Sequence, residues 1–115
     1  MSLSEAGAPP QGPHANLPAQ LIRVFVHGDG IYPDVVRARP GEILLRAENE
    51  TLGDISLVVE RLDPGQVPVN VKQIKTVNRG KRAQEELALG VGEYVYYEAS
   101  RPEIRGKLII EPPGR

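Results

Sequence analysis

From Gly92 to Ile110 the chain reads GEYVYYEASRPEIRGKLII, and no other stretch limits the fold as much. Tyr94, Tyr96 and Glu98 alternate with Val95 and Tyr97. A period of two marks a strand with one face buried, and Tyr and Val suit a pleated, half-buried surface. Ser100-Arg101-Pro102-Glu103 interrupts the pattern as a loop, and Lys107 to Ile110 resumes an extended apolar run. The Gly92-x-Tyr94 start predicts a tyrosine corner, with the Tyr94 hydroxyl bonding back to the backbone of a Greek-key sandwich.

The rest of the chain is punctuated in the same way. Its 115 residues make one domain, and 12 Gly and 11 Pro separate many short apolar runs, which favours an all-β fold. Leu21 to His27 reads as the first strand, with Ile22, Val24 and Val26 on one face and Arg23, Phe25 and His27 on the other. Gly28-Asp29-Gly30 turns the chain. Pro40-Gly41 suits a type II turn, Pro presetting φ and Gly supplying a positive one. Beyond it Ile43, Leu45 and Ala47 point to the core, and Arg46 and Glu48 to solvent. In the next strand Ile55, Leu57 and Val59 alternate with Ser56, Val58 and Glu60.

Asp63-Pro64-Gly65 and Asn78-Arg79-Gly80 are turns. Val67 to Val77 reads two ways, because Val67, Val69 and Val71 alternate as in a strand while Val71, Ile74 and Val77 are spaced as on a helix. A loop running into a short strand at Ile74–Val77 is the favoured expectation, and a single helical turn is the alternative. Gln84 to Leu89 is the strand that leads through Gly90-Val91-Gly92 into the C-terminal stretch.

The C-terminal stretch resembles the copper loop of the cupredoxins of the plastocyanin and amicyanin type. Their pattern runs Gly-x-Tyr-x-Tyr/Phe-x-Cys, then a short loop with a His and a Met, then Gly and alternating apolar residues. Gly92, Tyr94, Tyr96 and Gly106 match it. The segment IYPDVVRARPGEILLRAEN resembles the earlier half of the pattern, through Tyr32-Pro33, Val36, Ala38, the Pro-Gly-Glu turn and a strand ending in Asn49. The resemblance spans residues 20–111 and implies a cupredoxin-like Greek-key β-sandwich of about seven or eight strands.

It also implies where copper ligands would stand. The position of the first His falls at Asp54, that of Cys at Glu98, that of the second His at Arg101 and that of Met at Ile104. A mononuclear electron-transfer copper needs two imidazoles and a thiolate, usually with a weak thioether. Glu98 offers a hard oxygen and Arg101 a permanent cation, so the electron-transfer activity of the family is not carried over. Two readings of the vacated positions stand side by side. Arg101 forks onto Glu98 and closes that end of the sandwich with Asp54 beside it, or all three are solvated loop residues.

Composition removes further classes. With no cysteine, disulfides and thiolate metal sites are excluded. A net charge of −1 argues against a dedicated nucleic-acid binder. No apolar run approaches the roughly 20 residues of a membrane span, and no signal-peptide pattern is present. His14 and His27 stand apart from any carboxylate and nucleophile at a useful spacing, and neither Gly28-Asp29-Gly30 nor Gly90-Val91-Gly92 precedes a helix that would make it a phosphate loop, so nothing points to an enzyme. Lys72, Lys75, Arg79, Lys81 and Arg82 form a basic run without an intervening acid, which is either a solvated loop face or a face for an anionic partner.

Residues 1–19, rich in Pro, Gly and Ala, read as a disordered tail or linker, and residues 112–115 as a second tail. The resemblance implies an extracytoplasmic setting, and the linker fits a tether to a membrane or to another domain. Met1-Ser2-Leu3 is compatible with removal of a leader or anchor. The expectation is a copper-free, non-redox binding or structural module without a cofactor, periplasmic or extracellular, meeting an unknown protein partner. The alternative is a binder of another metal or of an anionic ligand, at the vacated copper end through Asp54, Glu98 or His27, or at the basic loop 72–82.

Overall fold

The computed structural model describes residues 18–113. All but the last two residues of the expected 1–19 tail, His14 included, lie outside this range, as do the last two of the 112–115 tail. Among the described residues there are nine strands and no helix. They are β1 (Gln20–His27), β2 (Gly30–Tyr32), β3 (Val35–Ala38), β4 (Gly41–Glu50), β5 (Ile55–Leu62), β6 (Val69–Val77), β7 (Arg82–Leu89), β8 (Gly92–Glu98) and β9 (Arg101–Ile110).

Two sheets pack face to face. One has the order β2-β1-β4-β7 and the other β3-β9-β8-β5-β6. The chain repeatedly changes sheets, so two pairs of neighbours are parallel. β1 runs beside β4 from Gln20↔Ile43 to His27↔Glu50, and β3 runs beside β9 from Val35↔Lys107 to Ala38↔Ile110. The alternation read from the sequence sets the inner faces. Ile22, Val24, Val26, Ile43, Leu45 and Ala47 meet Leu57, Val59, Tyr94, Tyr96, Leu108 and Ile110 in one buried cluster. The expected all-β sandwich is the fold. Gly41, after Pro40, has a φ of 124°, as the turn requires.

The structure departs from the sequence reading in four respects. Val69–Val77 is one nine-residue strand, not a loop with a short strand or a helical turn. It is a sheet edge, and its pairing with β5 shifts register near Ile55/Leu57 and Val59/Glu60. Each shift resets which residue points inward, so no single period survives in the sequence. β7 begins at Arg82, not Gln84. The loop expected over Ser100–Glu103 is confined to Ala99-Ser100, because Arg101 already pairs with Glu98 and the irregularity is a bulge between Arg101 and Arg105. The strand count exceeds the expected seven or eight because β2 and β3, of three and four residues, flank the cis Tyr32-Pro33 bond as separate short strands.

Tyr94 makes the expected corner, its hydroxyl donating to the Gly90 carbonyl at 2.9 Å. Arg61 completes it from β5, donating to the Tyr94 hydroxyl at 2.8 Å and to the Val91 carbonyl at 3.1 Å. Two residues on, Tyr96 lies across the ladder from Gly106. Its ring covers that glycine, and its hydroxyl donates to the Pro33 carbonyl. A Cβ added at Gly106 would stand 2.5 Å from Tyr96 Cζ and 2.6 Å from Oη. The ring is 1% exposed and has no room to retreat.

Gly106→Ala is therefore expected to destabilise the domain by about 1–3 kcal/mol, the usual cost of overpacking a filled core. Denaturant unfolding measures it. The loss should shrink in the Gly106→Ala, Tyr96→Leu double variant relative to the sum of the single variants, because both changes act on the same contact. Strict additivity would show that the ring does not occupy the space above Gly106.

Candidate functional site

The end of the sandwich where copper ligands would stand is assembled by one asparagine. Asn49, at the end of β4 and 1% exposed, donates through Nδ2 to the carbonyls of Gly53 and Val77, both at 2.7 Å. Its Oδ1 accepts from the Thr51 amide at 2.9 Å and from Thr51 Oγ1 at 2.7 Å. A buried amide that uses both polar atoms fixes the loop after β4 against the end of β6.

Glu98 closes the other side. It is 3% exposed and shares its face with Tyr94 and Tyr96. Its carboxylate accepts from the Ser100 hydroxyl, from the Ser100 amide at 3.3 Å and from the Ser56 amide at 3.3 Å. The Ala99 amide donates to the Ser56 carbonyl at 2.9 Å, tying the turn to β5. A buried carboxylate is tolerable because amide and hydroxyl donors replace its water.

The four positions given to copper ligands have different fates. Arg101 and Glu98 come together, but loosely, with Nε 4.0 Å from Oε1. The guanidinium does not fork onto the carboxylate; Nη1 donates to the Gly28 carbonyl at 3.0 Å. Asp54 is exposed and lies on the rim of a shallow depression of about 280 Å³ that Ser56, Thr76, Glu98 and Ser100 also line. Ile104 is half-buried against the hydrophobic core. The sequence reading missed Ser56 and Ser100. A serine two residues beyond a strand-ending acid is a local hydroxyl donor, and that spacing was the available signal.

The basic run is divided. Lys72 pairs with Glu85 at 3.5 Å across β6 and β7. Lys75 is exposed on β6. Arg79, Lys81 and Arg82 follow β6 and line a depression of about 560 Å³ with Glu48, Asn49, Glu50 and Thr51. His27 sits 3.0 Å from Glu50. That contact was invisible in the sequence because it depends on the parallel β1–β4 register, which sets His27 opposite Glu50.

The aromatic next to this end has a shifted proton. Burial, and secondly the nearby Asp34 charge, push the Tyr96 phenol up to about 12. Both effects disfavour the phenolate.

The arrangement is the cupredoxin fold. No family model matches the sequence, and no curated protein matches it. Among solved structures, the chain is similar to reduced auracyanin from Roseiflexus castenholzii, with 10% identity, a TM-score of 0.69 and 82% of this chain and 98% of that one covered. Auracyanin A, a "blue" copper protein from Chloroflexus aurantiacus, is 10% identical with a TM-score of 0.61, covering 79% of this chain and 99% of that one. Amicyanin from Paracoccus versutus is 18% identical with a TM-score of 0.60, covering 85% and 88%.

The fold implies copper, and the residues present do not fit it. The chain has no cysteine to supply a thiolate. Glu98 has its oxygens engaged by amide and hydroxyl donors, and Arg101 brings a positive charge to within 4.0 Å of it. Among the described residues no three His, Asp or Glu side chains gather as a metal site.

Two outcomes test this geometry. Glu98→Ala strands the amides of Ser56 and Ser100 and should cost about 1–3 kcal/mol. Arg101→Ala should cost only about 0.2–1 kcal/mol, because its side chain is 40% exposed and its ion pair is long. Equal losses in denaturant unfolding would mean that the ion pair, not the amide donors, holds Glu98.

The Tyr96 phenol sets a pH limit. Its folded pKa of about 12 lies above the ordinary 10, so the stabilisation it gives is complete below pH 10 and lost as pH rises towards 12. Tyr96→Phe should lower the unfolding midpoint at neutral pH, through loss of the bond to Pro33, and flatten its fall between those two pH values. A variant that falls as steeply as the parent chain would exclude Tyr96 as the titrating group.

Proposed function

We propose that this chain is a copper-free domain of cupredoxin fold that works as a non-redox binding or structural module, without enzymatic activity, within an exported or membrane-tethered protein. The chemistry at position 98 carries the reading. Where the resemblance calls for a soft thiolate, the chain buries a carboxylate and satisfies it with its own amide and hydroxyl donors. That pocket has become part of the fold's internal hydrogen bonding. The exported setting is supported by the resemblance, since bacterial cupredoxins work outside the cytoplasm, and the Pro-rich residues 1–19 supply a segment of tether composition.

Titration of the purified domain with Cu(II) tests the reading. No intense thiolate-to-copper charge-transfer band should appear, and no stoichiometric copper should survive dialysis. A blue protein, or one copper retained per chain, would overturn it.

A further inference from the structure

We propose that the depression between the end of β4 and the β6–β7 turn is a binding site for a phosphate group. This rests on the reading of the domain as a binding module and names the ligand class for one surface of it. The site lies beside the former copper end, and three observations define it.

The first is rigidity. The Gly80 amide donates to the Asn49 carbonyl at 3.0 Å, and the Asn49 amide donates to the Lys81 carbonyl at 2.9 Å. The Lys81 amide closes the turn on the Asn78 carbonyl at 2.9 Å, and buried Asn49 Nδ2 holds Val77 at 2.7 Å. Arg79, Lys81 and Arg82 thus project from a backbone already fixed to β4, which lowers the ordering cost of binding.

The second is charge. Two carboxylates, Glu48 and Glu50, also line the depression. Glu48 is paired with the Arg23 guanidinium at 2.7 Å, and Glu50 sits 3.0 Å from the His27 imidazole, so of the two only Glu48 is matched by a permanent charge. Arg82 stands opposite Glu48 in the ladder, yet Glu48 turns to Arg23. Among the described residues Arg79, Lys81 and Arg82 make no ion pair within 4.0 Å. By contrast Lys72, in the same basic run, is matched to Glu85.

The third is shape. The depression is open and about 560 Å³, large enough for a phosphate together with the group that carries it. A carboxylate offers one charge and one edge. A phosphate offers up to two charges and oxygens facing several directions, so two guanidinium forks and an ammonium can reach it together. Free phosphate and a lipid headgroup share this chemistry.

The experiment uses the chain with two probes. Inorganic phosphate is titrated by calorimetry, and sedimentation is measured with vesicles of phosphatidylglycerol and of phosphatidylcholine. The same measurements are made on Arg79→Gln/Arg82→Gln and on Lys75→Gln, which lies outside the depression. Saturable phosphate binding that weakens about tenfold or more in the double variant, as expected for losing charge-assisted hydrogen bonds, and is unchanged in Lys75→Gln, supports the site with free phosphate as ligand. Binding only to phosphatidylglycerol vesicles, with the same sensitivity to the variants, supports it with a lipid headgroup as the source. Binding to neither probe, or binding that all variants share, overturns it. Copper titration of the same samples separates the two readings, because a chain that binds neither copper nor phosphate loses this site and keeps its standing as a copper-free module.

Discussion

The stacking of Tyr96 on Gly106 is the contact on which the sandwich depends. It joins the two central C-terminal strands on their inner face, and the hydroxyl reaches the Pro33 carbonyl on the link between β2 and β3. That link carries the chain from one sheet to the other. The neighbouring Asp34 carbonyl accepts the Lys107 amide at 2.8 Å and starts the parallel β3–β9 pairing. One ring therefore fills the core, shields a bare stretch of backbone and fixes a crossover. Only glycine at position 106 leaves it the space.

The same strand organises both ends of the molecule. Tyr94, Tyr96 and Glu98 all point inward from β8, and each ends in a hydrogen bond to a different part of the chain. At one end Tyr94 and Arg61 tie the β7–β8 connection to β5. At the other, Glu98 gathers Ser56 and Ser100, while Asn49 holds the loop after β4. Polar groups buried at the ends and apolar groups between them give the sandwich a fixed length. A carboxylate at position 98 suits this role because it accepts several N–H and O–H donors at once.

Residues whose environment is set by one strand were legible in the sequence. The inner faces of β1, β4 and β5, the tyrosine corner and the Pro40-Gly41 turn follow from periodicity and backbone preference alone. The glycine at position 106 was visible as part of a pattern, but its reason was not, since it depends on the ring across the ladder. β6 was obscure because bulges break its period. Val58 reads as outward-facing, yet it is 6% exposed, because β5 lies inside the five-stranded sheet with neighbours on both sides. At the end where copper ligands would stand, the sequence left open whether Glu98 and Arg101 meet or are solvated apart. It did not show that the Gly28 carbonyl would take the guanidinium, because that depends on how the β1–β2 turn folds over from the other sheet. The His27–Glu50 pair was hidden for the same reason, a register between strands 23 residues apart along the chain.

The four outermost strands bear on how such domains behave when crowded. β2 and β3 are only three and four residues long, too short to template a neighbour. β7 carries Arg82, Gln84 and Glu86 on its outer face, and Glu85 at its inner edge pairs with Lys72. β6 is longer and displays Val69 and Val71, but its register shifts twice against β5, and Thr76 adopts a φ of 53°. Those irregularities cut its free ladder into pieces that a straight strand cannot follow. Edge-to-edge pairing between copies is thereby disfavoured on all four borders of the sandwich.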